Sequence, residues 1–288
     1  FFSSFGPSLA VARLGVSLSK TFAAAKRIIL LLDEKPVISE TKNSSELKDF
    51  FQAQLENVSF SYKTDLEKND FGNSNSKNLQ VPILSNVNIK FGENEIIGIQ
   101  GKSGCGKSTI LKLLMRFYDV NSGKIKITAS KQNLQELDIK EISLDSLKKT
   151  ENYVSQETVL FHDTIENNIK IAKLNASREE IENACKKASI HEFIVNLPDG
   201  YKTQISEFAE NFSSGERQRL GLARAFLHGG KFMLLDEPTS NLDSFNEKII
   251  LDSVFAERKN KTIALVSHRA STLKICDSIY KIENGRNS

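Results

Sequence analysis

Three spacings of apolar residues divide the chain. Leu14, Leu18 and Phe22, followed by Ile28, Ile29, Leu31 and Leu32, recur at helical steps and predict one long helix. Asp33-Glu-Lys-Pro36 ends it, because proline disfavours helix in the residue before it. Val58, Phe60 and Tyr62 alternate with polar residues, as does the stretch Ile83 to Phe91, and both predict half-buried strands. A third spacing is continuous: Glu95 to Gln100, Phe232 to Leu235 and Thr262 to Val266 are short apolar runs, predicted as buried strands. Helices are predicted at Thr109 to Phe117, at several places over residues 164–200, and at Arg217 to Leu227. Ser177-Arg-Glu-Glu180 has the form of a capping box, and Gly229-Gly230 closes the last of these helices. Residues 124–149 read as short strands with a charged insertion, and residues 63–80 as a solvated loop rich in Asn, Ser, Lys and Asp. Repeated strand–turn–helix units imply an α/β fold with a mostly parallel sheet covered on both faces.

Composition excludes more than it assigns. The 288 residues are 39% hydrophobic and 26% charged, the usage of an ordinary globular chain with a sizeable core. A net charge of +3 gives no reason to expect a nucleic-acid partner. Cys105, Cys185 and Cys276 are too scattered for a disulfide framework or a metal site and read as free thiols. No apolar run is long enough to span a bilayer by itself. The chain opens at Phe1 instead of Met and is expected to be a fragment of something longer. Its first segment is broken by Arg13, Lys20, Lys26 and Arg27, which fits a cationic helix leaving a membrane on its cytoplasmic side better than a signal peptide.

Gly101-Lys-Ser-Gly-Cys-Gly-Lys-Ser108 has the form G-x-x-x-x-G-K-[ST] and falls between a predicted strand and a predicted helix. Gly101, Ser103, Gly104, Cys105, Gly106 and Thr109 would surround phosphate with the loop and the helix N-terminus, whose N–H groups attract anions. Lys107 would reach the terminal phosphates, and the Ser108 hydroxyl would hold Mg²⁺. The apolar run 232–235 ends in Asp236 and Glu237. A buried strand can deliver Asp236 to the metal and leave Glu237 beside it to deprotonate water. An isolated Asp-Glu pair at a strand end is often only solvated; the glycine-rich loop upstream gives this pair its meaning.

Further motifs resemble those of the ABC ATPases. Phe212-Ser-Ser-Gly-Glu-Arg-Gln-Arg219 is similar to that family's signature, Ser240-Asn-Leu-Asp243 to its D-loop, and Val266-Ser-His268 to its switch histidine. Gln156 resembles the Q-loop glutamine, and Tyr62 the aromatic residue that stacks on adenine. The motifs occur in the family's order over roughly residues 55–285. Residues 27–36 resemble the end of the last membrane helix in exporters with fused membrane and ATPase regions. The resemblance implies a P-loop NTPase core with an antiparallel β subdomain and a helical signature subdomain at about 157–225. It divides the chain into a membrane-helix remnant (1–35), a linker (36–54) and an ATPase domain (55–288). ATP and Mg²⁺ are the implied cofactors, with Ser108, Gln156 and Asp236 at the metal and Glu237, His268 and Lys107 in catalysis. The implied partners are a second nucleotide-binding domain, identical or paralogous, and the transmembrane domain of the same transporter, on the cytoplasmic face of a membrane. In a head-to-tail dimer, Ser213 and Gly215 would serve the partner's ATP.

The chain departs from the pattern at Ser214, Ser206 and Ala209, where glycines are usual, and at Phe212, where leucine is. A side chain at 214 is expected to weaken the partner's site if the backbone there must approach phosphate closely or adopt positive φ. Two other functions stay open. A non-transport ABC ATPase would be expected to show coiled coils or two ATPase halves, and a regulatory module would hold ATP with little turnover.

Overall fold

In the computed structural model, residues 5–34, 36–40, 44–47, 49–62, 82–129 and 135–287 are described, with only the backbone for 5–12. The 63–80 loop expected from the sequence lies wholly outside them. The chain divides into two compact units, Phe1–Ser39 and Glu40–Ser288. The first is the expected long helix, α1 (Phe5–Leu32). No helix among the described residues is long and apolar enough to cross a membrane.

The second unit begins with β1 (Gln52–Phe60), β2 (Leu84–Phe91), β3 (Ile96–Gly101) and α2 (Lys107–Leu114). Then come β4 (Ser122–Thr128), β5 (Glu136–Asp138), α3 (Leu144–Thr150) and β6 (Glu151–Val154). Short helices α4 (Ile165–Lys170), α5 (Arg178–Lys187) and α6 (His191–Val195) lead to α7 (Ser214–His228). The chain continues through β7 (Phe232–Asp236), α8 (Ser244–Glu257), β8 (Thr262–Ser267), β9 (Ser278–Glu283) and β10 (Arg286–Asn287). One sheet is antiparallel in the order β2-β1-β4-β5. The other runs β10-β9-β3-β8-β7-β6, with β9 to β6 parallel.

The continuous apolar runs have a direct structural cause. Met233, Leu235, Ile263 and Leu265 join a core with the helices α4 to α8. Their alternates Phe232, Leu234, Ala264 and Val266 join a second core with the antiparallel sheet and α2. A strand buried on both faces has no place for polar residues, so period-two alternation disappears. Burying each of these side chains other than Ala264 stabilises the fold by about 1.5–3 kcal/mol.

The structure also extends the sequence reading. The stretch expected to be a polar linker contributes Leu47 and Phe50 to the second core, and Phe50 stacks on Phe232 with centroids 4.7 Å apart. Strands β6 and β9 carry too little alternation to be read from sequence, and α3 occupies part of a region expected to hold strands. α7 begins three residues earlier than expected: Ser213 caps it, accepting from Glu216 N–H at 3.2 Å, while Glu216 accepts from Ser213 N–H at 2.8 Å. That S-x-x-E box is legible in the sequence. The expected box at Ser177 and Glu180 is present.

Candidate functional site

Parallel strands β3, β8, β7 and β6 end on one edge of the sheet, and the sequence-predicted residues follow those ends. Ligands in open α/β sheets gather at this carboxyl edge. β3 runs into the loop 101–106 and so to α2. Gly106 stands at the α2 N-cap with φ of 102°, and a Cβ there would come within 2.6 Å of Leu84 Cδ2, so only glycine fits. Lys107 is 4% exposed, and its Nζ donates to the carbonyls of Gly101 and Lys102 at 2.9 and 3.0 Å. It also lies 3.5 Å from Glu237 Oε1.

Asp236, 7% exposed at the end of β7, accepts from Ser108 Oγ at 3.0 Å and from Tyr153 Oη at 3.2 Å. Burial holds its carboxyl above the usual range, partly offset by these hydroxyls. Burial and the neighbouring Asp236 charge also push the Tyr153 phenol up. Glu237 has φ of 46°, a left-handed conformation in a non-glycine residue, fixed by a bond from its N–H to Val266 O at 3.0 Å. Such strain clusters at functional sites because surrounding contacts must hold it. Its Oε2 lies 3.0 Å from His268 Nδ1, just past the end of β8.

Other residues are brought together differently. Tyr62 is half-buried, edge-on to Phe60 and Tyr118, with its hydroxyl 3.2 Å from Thr109 Oγ1. Gln156 is exposed and lines a groove of about 640 Å³ with Phe161, Phe208 and Ser214; among the described residues it makes no hydrogen bond to Ser108 or Asp236. Ser103, Gly104 and Cys105 line a separate cavity of about 1020 Å³ with His268. Ser213 and Ser214 are exposed at the start of α7. Ser214 does not have positive φ, so serine there brings no backbone strain, and its Oγ donates to Asn241 O at 3.4 Å. Gly215 lies against Asn246, whose side chain a Cβ would meet at 2.7 Å. The glycine departure that does carry strain is Ala209, with φ of 53°, next to Phe208 with φ of 61°.

Sequence reasoning missed the residues that brace this edge. Buried Glu247 accepts from Arg269 Nη1, Ser271 Oγ and Thr272 Oγ1 at 2.7–3.0 Å. Arg269 also holds the carbonyls of Thr239 and Leu242, which fixes the loop after Glu237. Arg219 donates to Asn246 Oδ1 at 2.9 Å, joining α7 to α8. Tyr153 was missed as well. None of these pairings is local, so spacing along the chain carries no signal for them.

A triphosphate and a divalent cation fit these residues. The glycine loop and the α2 N-terminus form an anion cradle around Lys107. Asp236 is a buried carboxylate bonded to hydroxyls and, among the described residues, in no ion pair. The fold and this edge define a P-loop nucleoside triphosphatase. The sequence profile of the family described as "ABC transporter" matches residues 84–240. Over 286 residues the chain is 46% identical to a probable ABC transporter ATP-binding/permease protein of Haemophilus influenzae, covering 99% of this chain and 48% of that protein. It is 37% identical over 283 residues to multidrug resistance protein pgp-1 of Caenorhabditis elegans, covering 98% of this chain and 20% of that one. The structure of a bacterial Atm1-family ABC exporter with ATP bound matches at a TM-score of 0.80 and 30% identity, covering 99% of this chain and 46% of that one. The chain belongs to the ABC transporter family and represents its ATP-binding ATPase domain. It spans less than half the length of these relatives.

Proposed function

We propose that this chain is the Mg²⁺-dependent ATPase motor of an exporter, working at the cytoplasmic face of a membrane. The observation that carries the reading is the meeting of Lys107, Ser108, Asp236, Glu237 and His268 within hydrogen-bonding or ion-pair distance at one sheet edge. In this reading Lys107 and the amides of 101–109 bind the phosphates, and Ser108, Asp236 and Gln156 hold the metal. When bound, Mg²⁺ would neutralise phosphate charge. Glu237 takes the proton of the attacking water, and His268 orients Glu237 and contacts the terminal phosphate. Tyr62 stacks on the adenine.

Ser213 and Gly215 act on the ATP of a second nucleotide-binding domain, a copy or a paralogue, in a head-to-tail dimer, and Asp243 communicates across it. The groove beside Gln156 supports attachment to a transmembrane domain: it exposes Val159, Phe161 and Phe208, and Phe208 is 82% exposed. Apolar surface of this kind marks interaction sites. Export is favoured by the likeness to an Atm1-family ABC exporter and by the likeness of residues 27–36 to the end of an exporter's membrane helix.

The test is Glu237→Gln, which keeps size and removes the base. Turnover should fall about 10²–10⁴-fold with ATP binding retained. Hydrolysis within a few-fold of the parent would overturn the assignment.

A further inference from the structure

Asp236 has both carboxylate oxygens in hydrogen bonds to hydroxyls: Ser108 Oγ donates to Oδ1 at 3.0 Å and Tyr153 Oη to Oδ2 at 3.2 Å. Ser108 belongs to the phosphate-binding turn, whereas Tyr153 has no part in the motifs or roles assigned above. It is the third residue of β6 and pairs in parallel register with Leu234, two positions before Asp236. Side chains in strands lean along the strand, so a tyrosine at this register can set its hydroxyl beside the end of β7. The ring is 39% exposed. Packing alone would be served as well by phenylalanine; what tyrosine adds is the donor.

From this geometry we propose that Tyr153 is a positioning residue for the divalent cation at Asp236. The inference rests on the reading of Asp236 as a metal-binding carboxylate. The terminal torsion of aspartate is broad, so a carboxylate bonded only to Ser108 can turn. A second bond to the other oxygen fixes its plane before the cation arrives. The phenol hydroxyl is the donor in this bond, at 3.2 Å from Oδ2. Groups that orient a metal ligand in this way commonly change metal affinity by about tenfold or more. The same bond anchors the strand that leads, three residues later, to Gln156.

The experiment measures Mn²⁺ binding to the ADP-loaded full-length protein by electron paramagnetic resonance, with ADP affinity in chelator measured alongside. The parent, Tyr153→Phe and Asp236→Asn are compared. Tyr153→Phe is expected to weaken Mn²⁺ binding about tenfold and leave metal-free ADP affinity unchanged, with a larger loss of Mn²⁺ affinity in Asp236→Asn. Parent-like Mn²⁺ affinity in Tyr153→Phe, beside a loss in Asp236→Asn, overturns the role of Tyr153 and leaves the metal site standing. Parent-like affinity in both variants removes the metal reading of Asp236, and the inference with it. If Tyr153→Phe also loses metal-free ADP binding, the hydroxyl supports the loop and not the cation, and the proposal fails.

Discussion

The carboxyl edge of the parallel sheet and the start of α7 hold their polar groups in opposite ways. At the sheet edge, hydrogen bonds bridge separate elements: α2 to β7 through Ser108 and Asp236, and β8 to β7 through His268 and Glu237. Lys107 and Asp236 are buried there. At the start of α7, Ser213 and Ser214 face outward; the Ser213 hydroxyl accepts from Glu216 N–H within the helix, and the Ser214 hydroxyl donates to Asn241 O in the loop before α8. Among the described residues no hydrogen bond joins 213–215 to 101–109. One end is a nearly complete site within a single chain. The other presents a capped helix start with nothing of its own chain to act on, which supports a site shared between two domains.

The sharpest way to break this contrast is to disable each end separately. Lys107→Ala should weaken ATP binding by more than about tenfold, because it removes a buried charge-assisted donor. Ser213→Ala should leave ATP affinity of the undimerised protein unchanged, lower turnover, and cost about 1 kcal/mol of stability through the lost cap. Calorimetric ATP titration together with steady-state hydrolysis checks both. Equal loss of ATP affinity in the two variants would mean that α7 serves its own chain's nucleotide.

A smaller effect is expected at Ser214. Its backbone is unstrained, so its influence must run through the side chain, by crowding the partner's phosphate and by tying α7 to Asn241. Ser214→Gly should raise turnover by about two- to tenfold, the range that one hydrogen bond accounts for. The measurement is kcat against protein concentration, which also reports dimerisation. An unchanged kcat at saturation would make this departure neutral.

The smallest expected change tests the groove. Phe208 is exposed and left-handed, a conformation that asparagine tolerates better. Phe208→Asn should therefore not lower the melting temperature, with any stabilisation within about 1 kcal/mol. It should weaken the coupling of hydrolysis to the transmembrane domain. A clear drop in melting temperature would show that the ring packs within the chain and is not held out for a partner.

How legible each part was follows from how local its chemistry is. The glycine-rich loop proposed to hold phosphate could be read because binding by successive backbone amides requires its glycines, Lys107 and Ser108 to be contiguous. Asp236 and Glu237 could be read because a strand buried on both faces announces itself as an apolar run and the acids end it. The signature, the D-loop and His268 were found through resemblance. Leu47 and Phe50 were hidden because the scattered apolar residues of this polar stretch show no period, although both reach the second core.

The sequence by itself determined the α/β class, the glycine-rich turn and the carboxylate pair, because each is written in neighbouring residues. Only the tertiary structure decided that Tyr153 touches Asp236, that Arg269 and Glu247 brace the loop after Glu237, and that Ser214 meets Asn241. Those contacts depend on strand register and on the meeting of elements far apart in the chain. Local propensity and pattern carry no information about which distant side chain will arrive.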